Sequence, residues 1–343
     1  GTPEAAVAAV RAIRRGELLR IACADLLGLC DVRDVGEALS NLTDAVLHST
    51  LAVAEAAVDD APRLAIVGMG RLGGRETSYA SDADVLFVYD ADGAERADKA
   101  AAVVESMRRL LETPAAEPPV RIDAGLRPEG RQGPMARSLS AYSRYYERWS
   151  RPWETQALLR ARPCAGDAET GARFAELADA LRYPEGGLTP EQLVELRRVK
   201  ARVDAERLPR GADPATHVKL GPGGLADVEW SAQLLQLCHG RDVPELRTTS
   251  TLDAVAAAGK AGLISPEDAA CLARSWIAAS HVRDALTLAR GKPSDQLPRH
   301  GPELLGVLAV LHRDSSDPGE FVDEYLRQAR RAHTVAERIF YDD

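Results

Sequence analysis

Aromatic residues are scarce in this 343-residue chain, with four Phe, four Trp and eight Tyr making 5% of it. Its cores must therefore be built mainly from Leu, Val and Ala. Cysteines are few, and none of the five (Cys23, Cys30, Cys164, Cys238 and Cys271) forms a C-x-x-C pair. That pattern argues against a zinc site or a disulfide framework and suits reduced thiols in a cytoplasmic protein. No apolar run is long enough to cross a bilayer, and the start at Gly1-Thr2-Pro3-Glu4 has no secretory signal. The missing initial Met suggests a piece of a longer polypeptide. Positive charge is also in deficit: the net charge of -9 speaks against a groove that grips a nucleic-acid backbone. The seven histidines include no H-x-x-x-H pair, and no G-x-S-x-G elbow supports a hydrolase triad.

What is present divides by character. Residues 4–57 read as helices, with one apolar stripe at Leu18, Leu19, Ile21, Ala22, Leu26 and Leu27 and a second at Leu42, Val46, Leu51 and Val53. Two short β-rich runs follow, Leu64–Val67 and Asp84–Tyr89. A helix over 95–112 and a third strand at Val120–Asp123 complete an α+β pattern. Beyond the Pro/Gly-rich stretch Tyr183–Gly187 the strand signals vanish. The helices there are well punctuated: Ser265 as N-cap, Pro266 in the first turn and Gly291 as a stop, with a further helix near 320–339. The expected domains are a helical segment at 1–57, a catalytic domain at 58–187 and a helical bundle at 188–343.

Gly68-Met69-Gly70-Arg71-Leu72-Gly73 matches the dinucleotide fingerprint G-x-G-x-x-G. A Rossmann crossover needs a helix of a dozen residues or so before the next parallel strand. Here the next strand begins near Asp82 or Asp84, so that reading is rejected.

Carboxylates carry the chemistry. Asp82 and Asp84, in Ser81-Asp82-Ala83-Asp84, project from one face at a strand mouth about 7 Å apart along the backbone. Asp123 occupies the equivalent place on the next strand. Three such carboxylates repel each other unless cations lie between them, and they suit two magnesium ions astride a phosphoryl group. The bland alternative is a turn cap and a surface acid.

Four blocks are similar to the signature of the glutamine synthetase adenylyltransferase family: Gly68 to Asp84, Asp123-Ala124-Gly125-Leu126-Arg127-Pro128-Glu129-Gly130, Trp153 to Arg162, and Lys219 to Glu229. They occur in family order and span most of the chain. The resemblance implies a polymerase-β-like nucleotidyltransferase domain followed by an α-helical bundle, with Mg2+ as cofactor and ATP as substrate. It also implies a chain that is one half of a two-module enzyme. Its protein partner is then glutamine synthetase, a PII signalling protein is a regulatory partner, and nucleic acid and membrane are not partners. One module of the family transfers AMP to a tyrosine of glutamine synthetase and the other removes it by phosphorolysis. The Trp153 block is more similar to the adenylylating C-terminal module, while Lys219-Leu220-Gly221 leans toward the other. A silent docking module is the third alternative.

By the same resemblance Asp82, Asp84 and Asp123 are catalytic and hold the metal, and Asp123 is also expected to accept the proton of the attacking hydroxyl. The expected nucleotide contacts are Gly70, Gly73, Gly74, Arg75, Ser81, Arg127, Arg160, Arg162, Lys219, Gly223 and Gly224. Each has a structural alternative: a tight turn for the glycines, a cap for Ser81, a surface or packing role for the arginines. Asp227 is a helix cap or a nucleotide ligand, and the basic stretch Arg197, Arg198, Lys200, Arg202 and Arg207 reads as a solvated helix face.

Overall fold

The structure, a computed structural model, describes residues 2–114, 117, 119–313 and 316–341. Its described residues form two compact units, Gly1–Thr77 with Ser81–Arg182, and Ser78–Ala80 with Tyr183–Asp343. The main division falls at 182/183, five residues before the 187/188 boundary expected from composition.

The first unit opens with helices α1 (Pro3–Leu26) and α2 (Val32–Glu55), followed by strand β1 (Leu64–Gly68), the short helix α3 (Gly70–Gly73), strand β2 (Ala83–Tyr89) and helix α4 (Ala94–Glu112). Strands β3 (Ile122–Asp123) and β4 (Ala136–Ser138) come next, then α5 (Leu139–Trp149), α6 (Pro152–Leu158), β5 (Arg162–Gly166) and α7 (Ala168–Arg182). The sheet runs β3-β2-β1-β5, and β4 also pairs with β2. Strand β2 is antiparallel to β1 but parallel to β3 and β4. The antiparallel β1–β2 pair, joined through a four-residue helix, has no place in a Rossmann fold.

Alternation along β2 explains its unbroken apolar run. Val85, Phe87 and Tyr89 join one core with Leu47 and Leu51 of α2 and Val103, Met107 and Leu111 of α4. Leu86 and Val88 face the opposite way, into a core with Tyr142 of α5 and Phe174 of α7. A strand covered on both faces has no solvent side to mark with polar residues.

Some expectations are corrected. The third strand is only two residues long. Strand β5, which pairs antiparallel with β1, was not anticipated, because Arg162-Pro163-Cys164-Ala165-Gly166 carries none of the usual β-branched residues. The first apolar stripe is mostly not core: Ile21 is buried, whereas Leu19, Leu26 and Leu27 are exposed.

The second unit contains α8 (Pro190–Glu206), α9 (Leu225–His239), α10 (Thr251–Lys260), α11 (Pro266–Arg290), α12 (Pro302–Val310) and α13 (Pro318–Tyr341). Its described residues include no strand, only an isolated bridge between His217 and Gln296. Helix α11 starts and stops as its sequence directs: Ser265 accepts from Asp268 N, Pro266 opens the first turn, and Gly291 ends it at a φ of 66°. Leu272, Trp276, Ala279, Val282 and Leu286 are buried along it. Among the described residues no helix is long and apolar enough to cross a membrane.

Candidate active site

Asp84 and Asp123 are register partners on the parallel pair β2–β3, so their side chains leave the same face of the sheet. Asp82 lies one residue before β2 and is exposed. It lines, together with Asp123, an open cavity of about 690 Å³ in the first unit. Asp84 does not line that cavity; it is turned toward the glycine segment. A Cβ on Gly70 would lie 2.6 Å from Asp84 Oδ2. Gly70 has a φ of 50°, a region that glycine enters without penalty. Both properties leave the carboxylate room that any other residue would fill. The link is reinforced by the backbone, where Met69 N donates to Asp84 O at 2.8 Å.

One oxygen of Asp123 is already used: Oδ1 accepts from Gly125 N at 2.7 Å. Among the described residues no three His, Cys, Asp or Glu side chains are grouped as a ready-made metal site. Magnesium does not need such a cage, since it commonly takes one or two carboxylates and completes its shell with water and substrate phosphates. The donor set of hard carboxylate oxygens and the space kept beside Asp84 fit that ion.

The glycine segment is held from outside by arginines. Arg162 pairs with both carboxylate oxygens of Asp44, at 2.8 and 3.1 Å, and also donates to Gly73 O and Leu72 O. Arg160 is buried and pairs with buried Glu76 at 3.0 Å. The Arg160 backbone presses on Gly73, where a Cβ would meet Arg160 O at 1.7 Å. Gly74 is the C-cap of α3. Arg75 has a φ of 56° and reaches away to Glu37 and Asn41 on α2. Ser81 is half-buried just before β2.

Arg127 is also occupied. Its three nitrogens donate to the carbonyls of Gly133, Ala124 and Arg131, which pins the loop after β3. Burial holds its pKa below the ordinary arginine value. These arginines therefore shape the loops around the carboxylates through hydrogen bonds to protein groups. Burial likewise pushes the neighbouring Cys164 thiol up to about 12, so it stays protonated near neutrality.

Lys219, Gly223 and Gly224 belong to the second unit. Gly223 (φ 72°) packs against α13, where a Cβ would lie 1.8 Å from Ala329 O. Its N–H donates to Asp227 Oδ2 at 2.7 Å. Asp227 also accepts from Lys200 at 2.7 Å and pairs with His333 Nδ1 at 2.8 Å. The basic stretch on α8 is thus not a uniformly solvated face, because Lys200 is buried between Asp227 and Asp204.

Residue-by-residue reading missed Asp44 and Glu76 as partners of the loop arginines. It also missed Arg108, Arg121 and Arg131, which line the cavity of Asp82 and Asp123. A lone surface arginine has no sequence signal of its own; only the cavity groups these three.

Residues 1–177 match the model of glutamate-ammonia ligase adenylyltransferase, over half of the chain. The chain belongs to that family. In this adenylyltransferase-family chain, residues 197–340 match in turn the model of GlnD PII-uridylyltransferase. Relatives named bifunctional glutamine synthetase adenylyltransferase/adenylyl-removing enzyme are 53% identical in Streptomyces coelicolor, 52% in Nocardia farcinica and 50% in Mycobacterium avium. Each alignment covers 98% of this chain and 35% or 36% of the relative. The chain thus spans about a third of the length of the curated relatives it matches.

Proposed function

We propose that this chain moves AMP from ATP to a tyrosine hydroxyl of glutamine synthetase and releases pyrophosphate. The observation that carries the reading is the Asp84–Asp123 register pair, with Gly70 kept open beside Asp84. Family membership supports the substrate and the reaction type. The first unit is then a polymerase-β-like nucleotidyltransferase domain, and the second an α-helical bundle.

Asp82, Asp84 and Asp123 are the residues to hold magnesium. Bound there, Mg2+ supplies neutralisation of the phosphate and leaving-group charge. The glycine segment contributes backbone N–H groups that can approach phosphate oxygens, with Arg160 and Arg162 fixing its shape from behind. Asp123 Oδ2 accepts the proton of the attacking phenol, whose ordinary pKa of about 10 otherwise leaves it protonated. The site belongs to a cytoplasmic enzyme of at least two modules, under the influence of a PII signalling protein.

The names of the relatives join AMP addition with AMP removal, and one experiment separates them. Purified glutamine synthetase, unmodified or adenylylated, is incubated with this chain and either Mg-ATP or phosphate, and its intact mass is read. A gain of AMP with Mg-ATP is the expected result. Loss of AMP with phosphate alone reverses the direction, and no change in either arm rejects enzymatic activity.

A further inference from the structure

The cavity that contains Asp82 and Asp123 has a second wall of opposite charge. Arg108 of α4, Arg121 just before β3 and Arg131 in the loop after it line the same space. Arg108 is engaged with Glu105 and Glu112. Arg121 and Arg131 are exposed, and among the described residues their side chains have no ion pair. In a chain of net charge -9, two unpaired guanidinium groups beside the candidate catalytic acids form a local inversion of sign.

Their position bears on what they would meet. The glycine segment follows β1, while Arg121 and Arg131 flank β3; in the order β3-β2-β1 these are opposite sides of β2. Asp84, on β2, lies between, and Asp123 stands on β3 with the arginines. If phosphates occupy the glycine side, the arginine side is left to the group that attacks. Exposed guanidiniums at the rim of the site suit pairing with carboxylates on the surface of a second protein.

We propose that Arg121 and Arg131 dock an acidic segment of the protein that receives AMP. The proposal rests on the transfer reaction only for the identity of that protein; the docking itself is a binding property. The pair acts on substrate choice and encounter, since complementary charge at a rim speeds association and penalises wrong partners.

The test is direct titration of purified glutamine synthetase with wild-type chain and with the R121E/R131E double variant, in parallel with Mg-ATP titrations. Both positions are exposed, so melting curves should coincide. The expected result is a Kd for glutamine synthetase raised at least about tenfold by the charge reversal. The Kd for Mg-ATP stays within about twofold, because a contact with the acceptor leaves the phosphates untouched. Raising salt from about 0.05 to about 0.5 M should weaken wild-type binding and leave the variant almost unaffected. The R121K/R131K variant should keep most of the affinity. An unchanged Kd for glutamine synthetase overturns the proposal, and so does a loss confined to Mg-ATP, which would assign the arginines to phosphate. Wild-type chain that binds through these arginines but transfers no AMP would retain the docking wall and discard the proposed reaction. Transfer with unaltered binding in the double variant would do the opposite.

Discussion

At the scale of single residues, the candidate site depends as much on what is missing as on what is present. Gly70 holds a left-handed φ and leaves space against Asp84, so its lack of a side chain is a property of the carboxylate's environment. Gly73 is constrained differently, by the Arg160 carbonyl. The substitution Gly73→Ala should therefore lower stability by about 1–3 kcal/mol through overpacking, read as a shift in the urea midpoint. Asp84→Asn keeps the size and removes the charge. AMP transfer should fall by about a thousandfold or more while the melting temperature holds, because a neutral amide is a poor partner for a divalent cation. Full activity in that variant would remove Asp84 from the mechanism.

Elements are tied to the site by buried ion pairs. Arg160 and Glu76, both with side chains less than a tenth exposed, join the end of α6 to the segment after α3. Breaking such a pair from one side strands a charge in a poorly solvated place. Glu76→Ala should cost about 3–5 kcal/mol, more than a surface pair would, and guanidinium unfolding measures it. The Arg162–Asp44 fork plays a matching part from α2 and β5. Helix α2 approaches closely as well: the Ser40 hydroxyl donates to Gly36 O at 2.7 Å and accepts from the Thr77 hydroxyl at 2.8 Å. The glycine segment is thereby clamped from α2, α6 and β5 without any of these elements contributing an acid to the site.

At the scale of the whole molecule, each unit has its own electrostatic tie. In the second unit, Asp227 of α9 gathers Lys200 of α8 and His333 of α13, with Asp204, Glu337 and Tyr341 close by. Hydrogen bonding to Asp227 raises the His333 pKa above its ordinary 6.5. Burial works against the Asp227 carboxylate, yet His333 and Lys200 outweigh it and lower its pKa below 3.8. Burial also opposes the Lys200 charge, and Asp227 and Asp204 outweigh it in the same way. The contribution of His333 is therefore complete below pH 6.5 and is lost as pH rises through its raised pKa. That of Asp227 is complete above 3.8 and is lost as pH falls through its lowered pKa. Melting temperature should decline above pH 6.5, and His333→Gln should flatten that decline. Equal slopes for both proteins would show that the tie does not control it.

Much of this was legible in the linear chain. Periodicity placed α4, α11 and α13, and the apolar runs placed β1 and β2, because burial on one or both faces leaves a pattern in neighbouring residues. Asp82 and Asp84 were expected at the start of a strand, and β2 begins at Ala83; the dinucleotide reading could be refused on spacing alone. Tertiary structure decided what depends on distant partners. Strand β5 exists because β1 offers it an edge, and the register of β2 with β3 sets Asp84 beside Asp123. Arg162 meets Asp44 across 118 positions, and Arg121 joins Arg131 only through the cavity they share. Local pattern records which face of an element is covered; it does not record what covers it, because that contact is made by residues far along the chain.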